Sequence, residues 1–216
     1  FLKREGYQAQ DSVRVCPLVL AHSVEPSVHP ERQSGTNEFE RLAGKVVDDS
    51  LMLDPAEIDA FWILQEATKD LDLAALKRDA GDHGVVSPSL LMQTPSKFRG
   101  SVVAVRGTVV RVRTHVTESR AAIHGIKSLR EIWISTDDPA PQLCQLIGST
   151  PESATKPEEL IGRVMTASGL FFKRHRYIAE TGQTRAPLIL LKELRLGTPD
   201  ATSKNQVNRT TANSFP

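Results

Sequence analysis

The stretch "GLFFKRHRYIAETGQTRAPLILL", residues 169–191, decides how this chain is read. Two aromatics open it, a basic run follows, and an apolar run closes it after a turn. In an extended strand alternate residues share a face. Phe171, Lys173, His175 and Tyr177 then lie on one side, and Phe172, Arg174, Arg176 and Ile178 on the other. Leu170 and Phe172 keep the parity of Val164 and read as buried, although a bulge at Gly169 would reverse the assignment. Two readings stay open. In one, the stretch is a hairpin closing a small β-barrel, with both phenylalanines in the core. In the other, Phe171 and Lys173 meet a nucleic-acid base by stacking and charge, worth about 1–3 kcal/mol per base.

Working outward, strand patterns fill residues 97–197. "FRGSVVAVRGTVVRVR", residues 98–113, alternates valine with other residues and carries Gly107 near its middle. An isolated glycine inside a long strand marks a bend or a bulge, and small barrels need such bends to close. After a loop from Thr114 to Ser128 come "LREIWIS" (129–135), the turn "TDDPAP" (136–141) and "QLCQLIG" (142–148). "KPEELIG" (156–162) reads as about one helical turn. "RVMTASGLFFKRHRY" (163–177) is a fourth strand bent at Gly169, "ETGQTRA" (180–186) a turn, and "PLILLKELRL" (187–196) the fifth strand.

Five strands, two of them long and bent at glycine, with a helical piece between the third and fourth, resemble an OB-fold. The pattern is similar to the anticodon-binding-like (tRNA-anti-like) OB barrels. In those, a G-x-V strand opens the barrel, a short strand ends in an acidic turn, and a helical piece precedes L-x-x-G-x-x-V-x-x-x-G. The matching pieces are Arg106-Gly107-Thr108-Val109, Ile134 to Asp138, and Leu160 to Gly169. "GLFFK…APLILL" also looks like a bacterial family of extended OB-like proteins, a likeness that implies no activity. The resemblance spans residues 97–197, just under half the chain. It implies ligand contacts on the second and third strands and on the loops joining strands one to two and four to five. On this chain the first loop supplies Arg120, His124 and Lys127, the second Arg185, and the sheet face Trp133, Arg111 and Arg113. Fold alone does not fix function.

The N-terminal half differs. Residues 1–50 lack sustained periodicity, and "SVEPSVHPERQSGTNE" reads as a disordered linker, with a short strand near Ser12 to Leu20. A helical subdomain follows over 52–94. Asp54 caps its first helix, Pro55 suits the first helical position, and Ile58, Phe61, Trp62, Leu64 and Gln65 give it a mostly apolar face, continued by Leu71. A second helix, Leu73 to Ala80, stops at Gly81, and residues 198–216 read as a disordered tail. The expected fold class is therefore α+β and mainly β: a five-stranded OB-like barrel preceded by a small helical subdomain, with disordered ends.

Charge divides with the fold. Residues 1–96 carry 9 basic and 16 acidic side chains, and residues 97–197 carry 16 and 9. Either the basic half faces a partner, or the two halves attract each other and Trp133 and the arginine row are buried against residues 54–76. Trp133 lies opposite Ile132 and Ile134 in parity, so it is covered by the acidic helix at 54–76 or exposed as a platform.

Chemical signatures are missing. The six histidines are scattered, and Cys16 and Cys144 have neither metal-ligand spacing nor a disulfide framework. Asp137 and Asp138 are explained by the turn, and no nucleophile elbow or phosphate-cradling loop appears. No apolar run is long enough to span a bilayer, and Cys16 to Ala21 is too short for a secretion-signal core. The expectation is a binding module without catalysis, cofactor or metal. Its partner is a protein, or its own acidic half. The alternative is single-stranded nucleic acid, met by Arg111, Arg113, Arg120, Lys127, Lys173, Arg174 and Arg185.

Overall fold

The computed structural model describes residues 3–9, 12–18, 36–50, 53, 55–117, 119–136, 142–149, 156–179 and 182–196. The chain divides into two compact units, Phe1–Gln33 and Ser34–Pro216. In the first, β1 (Lys3–Ala9) and β2 (Ser12–Leu18) form an antiparallel hairpin. Residues 19–35 of the expected linker and the tail from residue 197 lie outside the described residues.

The second unit opens with a helix where an extended or disordered segment was expected. α1 (Thr36–Ala43) is short, but Phe39, Leu42 and Ala43 fall on one face and pack inward, as does Val46 just past its end. α2 (Pro55–Asp70) and α3 (Leu73–Ala80) follow the sequence reading; the proposed cap Asp54 lies outside the described residues. The Asp72 carboxylate accepts the Ala75 N–H at 2.6 Å and caps α3, and Gly81 ends it at φ +80°. Three short elements lead into the sheet: β3 (Asp82–Val85), α4 (Pro88–Gln93) and α5 (Pro95–Phe98).

The sheet is built from β3, β4 (Val102–Val116), β5 (Ser128–Thr136), β6 (Gln142–Ser149), β7 (Val164–Ala179) and β8 (Gly182–Leu196). α6 (Ser119–Ile123) interrupts the connection from β4 to β5, and α7 (Pro157–Leu160) precedes β7. The strand order is β3-β4-β5-β6-β8-β7, and β7 pairs back onto β4, so five strands close in a ring. The fold is thus α+β and mainly strands, with the OB-like order of five strands and the helical piece before the fourth. β3, not foreseen in the sequence, lies parallel against the start of β4.

The two glycines sit where the ring turns. β4 pairs with β7 from Val102 to Thr108 and with β5 from Thr108 to Val116, so it changes partners beside Gly107. A Cβ on Gly107 would overlap the Ser135 carbonyl and sit 2.9 Å from Thr136 Cγ2. The β7–β8 register shifts between Ser168 and Gly169, and a Cβ on Gly169 would strike the Leu190 backbone. Both backbones approach a neighbour too closely for any side chain.

Closure sorts the apolar residues into two cores. Val103, Val105 and Val109 of β4, Ile132 and Ile134 of β5, Leu146 of β6, Met165 and Phe171 of β7 and Ile189 of β8 cluster together. Residues of all five strands meet this way only on the inside of the ring. The outer set, Leu129, Leu170, Phe172, Leu188 and Leu190, packs with Phe61 and Leu64 of α2 and Leu76 of α3. The helices and the ring therefore share a core. A second register shift between Phe171 and Lys173 lets Phe171 point in and Phe172 point out toward Phe61, 5.7 Å away edge-on.

Candidate binding surface

Register places Arg111, Trp133 and Gln145 side by side across β4, β5 and β6, with Arg113 opposite Glu131. Directly paired residues share a face, so these side chains all point outward. Glu131 is their hub. Its carboxylate accepts from Trp133 Nε1, from Gln145 Nε2 at 3.2 Å and from His115 Nε2 at 2.7 Å. Burial pushes the Glu131 carboxyl up, and these three donors more than offset it, holding it below its ordinary value.

Trp133 is only 7% exposed, as one of the two expectations required, but its cover is not the helix. Tyr177 lies over it at 4.7 Å between ring centroids and His175 at 6.1 Å, both from the far end of β7. β8 already begins at Gly182, within the segment read as a turn, so the β7–β8 hairpin is long enough to reach β5. His175 itself is buried, and its Nε2 has no hydrogen-bond partner. Burial, then the neighbouring Lys173 charge, pulls its pKa down from 6.5 to about 4. The folded chain thus holds this imidazole neutral while the unfolded chain protonates it near pH 6.5. Stability is full above pH 6.5, declines as pH falls from 6.5 to about 4, and changes no further on this account below that, a loss on the order of 3 kcal/mol. Urea unfolding midpoints of wild type and His175→Phe between pH 7 and about 4 check this: the variant is expected to lose much of the decline.

Two of the three cations in the basic run of β7, Lys173 and Arg174, are paired with the chain's own acids. Lys173, 2% exposed, places Nζ 2.9 Å from Glu57 Oε2 and 2.6 Å from Ser50 Oγ. Glu57, fully buried on α2, also accepts the Val47 N–H. Arg174 grips both oxygens of Asp49, at 2.9 and 2.6 Å, and donates to the Met92 carbonyl. Arg185 Nε reaches Asp49 at 3.2 Å, and Arg99 pairs with Asp48 at 2.5 Å. Burial raises the Asp49 carboxyl, but Arg174, with Arg185 and Arg176, outweighs it and leaves the group below the ordinary carboxylate value. The backbone takes part too: the Asp49 N–H donates to the Arg174 carbonyl, and the Arg176 N–H to that of Ser50. Residues 47–50 thus lie along the edge of β7 beyond the point where β4 leaves it. Asp49 holds φ +62° there.

The expected contact residues therefore part company. Phe171, offered as a stacking ring, is instead fully buried inside the ring of strands. Arg174 and Arg185 are ion-paired with Asp49 of the strap formed by residues 47–50, and Lys173 is ion-paired with Glu57 of α2 and donates to Ser50 of the strap. His124 Nδ1 lies 2.8 Å from Glu66 Oε2, with its ring stacked on Trp62. The side chain of Arg120 lies outside the described residues. Arg111, Arg113 and Lys127 are exposed, so the arginine row is not buried against residues 54–76 as one expectation had it. The hub Glu131, the strap acids Asp48 and Asp49, and Glu57 of α2 were not singled out as site residues in the sequence. For the two strap acids, their adjacency at 48–49 was the only local signal.

No family model matches this chain, and no curated protein does. Among solved structures, a mitochondrial single-stranded DNA-binding protein from S. cerevisiae, Rim1, is similar over 44% of this chain and 93% of that chain, at 10% sequence identity and a TM-score of 0.30.

Proposed function

We propose that the chain is a non-catalytic interaction module that binds a protein partner on the outward face of its ring. One observation carries this reading: the side chains a base would stack on are covered, and Lys173 and Arg174 of β7 are ion-paired within the chain, while Arg111 and Arg113 stay exposed. Single-strand binders present both an open aromatic platform and a continuous basic groove. Here Trp133 and Phe171 offer no open ring face, and Asp49 and Glu57 occupy three of the seven cations expected to meet phosphate. The one cysteine among the described side chains, Cys144, is buried, and burial pushes its thiol up, away from the reactive thiolate.

Anisotropy with a fluorescent oligothymidylate, titrated at low and at physiological salt, tests the reading. The expected result is no saturable binding at low salt. Saturable binding whose affinity falls with salt, at about −0.7 in log–log slope per neutralised phosphate, would put nucleic acid in the protein's place.

A further inference from the structure

The distal half of β4 is an open strand edge. Up to Thr108 the strand has β7 on one side, and from Thr108 it has β5 on the other. On the β7 side the last backbone bonds are those of Val109, whose N–H donates to the Arg163 carbonyl and whose carbonyl accepts from the Gly162 N–H. Among the described residues nothing pairs with that side from Arg111 to Val116, yet the strand runs extended to its end. It is also bare: Val110 is 46% exposed, Val116 87%, and between them only Val112 is partly covered. In an antiparallel ladder every second residue turns its N–H and C=O away from the partner. This segment therefore offers a row of unpaired backbone donors and acceptors.

We propose that this edge accepts an extended acidic segment of a partner protein by strand addition. The inference rests on the protein-interaction reading and names its site and partner class. Charge complementarity selects the occupant. Arg111, Arg113 and His115 share one face of the strand. No carboxylate is paired with Arg111 or Arg113 among the described residues, because Glu131, opposite Arg113, is held by Trp133, Gln145 and His115. A guest strand with carboxylates at alternate positions sets them beside the two arginines. Apolar residues at the intervening positions meet Val112 and Val116 on the other face. Backbone bonds supply affinity and the alternate side chains supply selectivity. A second copy of this chain fits worse, since antiparallel self-pairing about this row brings arginine against arginine, and like charges directly opposite are destabilising.

The test uses the intact chain and three fluorescent peptides. One alternates glutamate with valine, one alternates lysine with valine, and one is the glutamate peptide with alternate backbone nitrogens methylated. Anisotropy is expected to show saturable binding of the first, with the lysine peptide and the methylated peptide each at least about tenfold weaker. The double variant Arg111→Glu/Arg113→Glu, checked for its fold by circular dichroism, is expected to reverse the preference toward the lysine peptide. Failure of every peptide to bind overturns the proposal and leaves the oligothymidylate result to judge the broader reading. Equal binding of the methylated peptide also overturns it, because adhesion by charge alone needs no backbone edge. Displacement of the peptide by oligothymidylate with a steep salt dependence overturns both readings. A dimer in sedimentation equilibrium that the peptide dissociates assigns the edge to a second copy instead.

Discussion

Gly169→Val is expected to remove about 4 kcal/mol or more of stability and to leave little folded chain at room temperature. The added Cβ would strike the Leu190 carbonyl oxygen, lie 2.8 Å from its carbon and lie 3.1 Å from Ile189 Cγ2. Two of these three obstacles are backbone, so no rotamer change relieves them. β7 and β8 would have to separate at the point where their register shifts. Phe171, whose side chain fills the inside of the ring two residues on, would lose its seat with them. Urea unfolding followed by circular dichroism measures the effect, with Gly44→Ala as the control. The nearest atom to a Cβ at Gly44 is 3.5 Å away and its backbone is not left-handed, so that change is expected to cost within about 1 kcal/mol. A Gly169→Val chain within about 1 kcal/mol of wild type would mean that β7 and β8 do not approach as described.

Removing Glu57 is the second large effect. Glu57→Ala strands the Lys173 ammonium in a site 2% exposed to solvent and leaves the Val47 N–H without its acceptor. Breaking one partner of a buried pair costs about 3–5 kcal/mol, because the remaining charge is uncompensated. Replacing both partners is a different experiment. In Glu57→Leu/Lys173→Met two apolar chains of similar size fill the site, and most of the loss is expected to return. A double-mutant cycle from denaturant midpoints reads both arms. If the single variant costs less than about 1 kcal/mol, the pair is not desolvated and the strap is a surface feature.

The ring itself was written plainly in the sequence. Gly107 and Gly169 interrupt valine-rich and aromatic runs of period two, and both mark real changes of strand partner or register. The helical turn before the fourth strand and the caps of α3 are likewise local signals, set by residues within one or two turns of one another. What escaped was non-local. Lys173 and Glu57 are 116 positions apart, and nothing in either segment names the other. That Trp133 is covered was one of two expectations, but what covers it was missed for a related reason. "ETGQTRA" has the composition of a broad turn, yet strand pairing carries through Thr184 and Gln183 to Gly182, and that extra length brings Tyr177 over β5. β3 is a four-residue strand containing a glycine, too short for periodicity to declare it. α1 was legible in principle through Phe39, Leu42, Ala43 and Val46, but proline, serine and charge in the preceding residues outweighed that short pattern. For the contact residues, sequence alone located the cations. It could not say which of them the chain keeps for itself.

The sharing of β4 between two neighbours also sets an order of assembly. Its second half meets β5 across one short connection, whereas its first half must wait for β7, since Val102 faces Leu170. On a ribosome the early valines of this strand therefore emerge long before their mate is synthesised, and pairings distant in the chain form slowly. β3, which precedes β4 and lies alongside its start, is made in time to shield one flank of those valines during the interval.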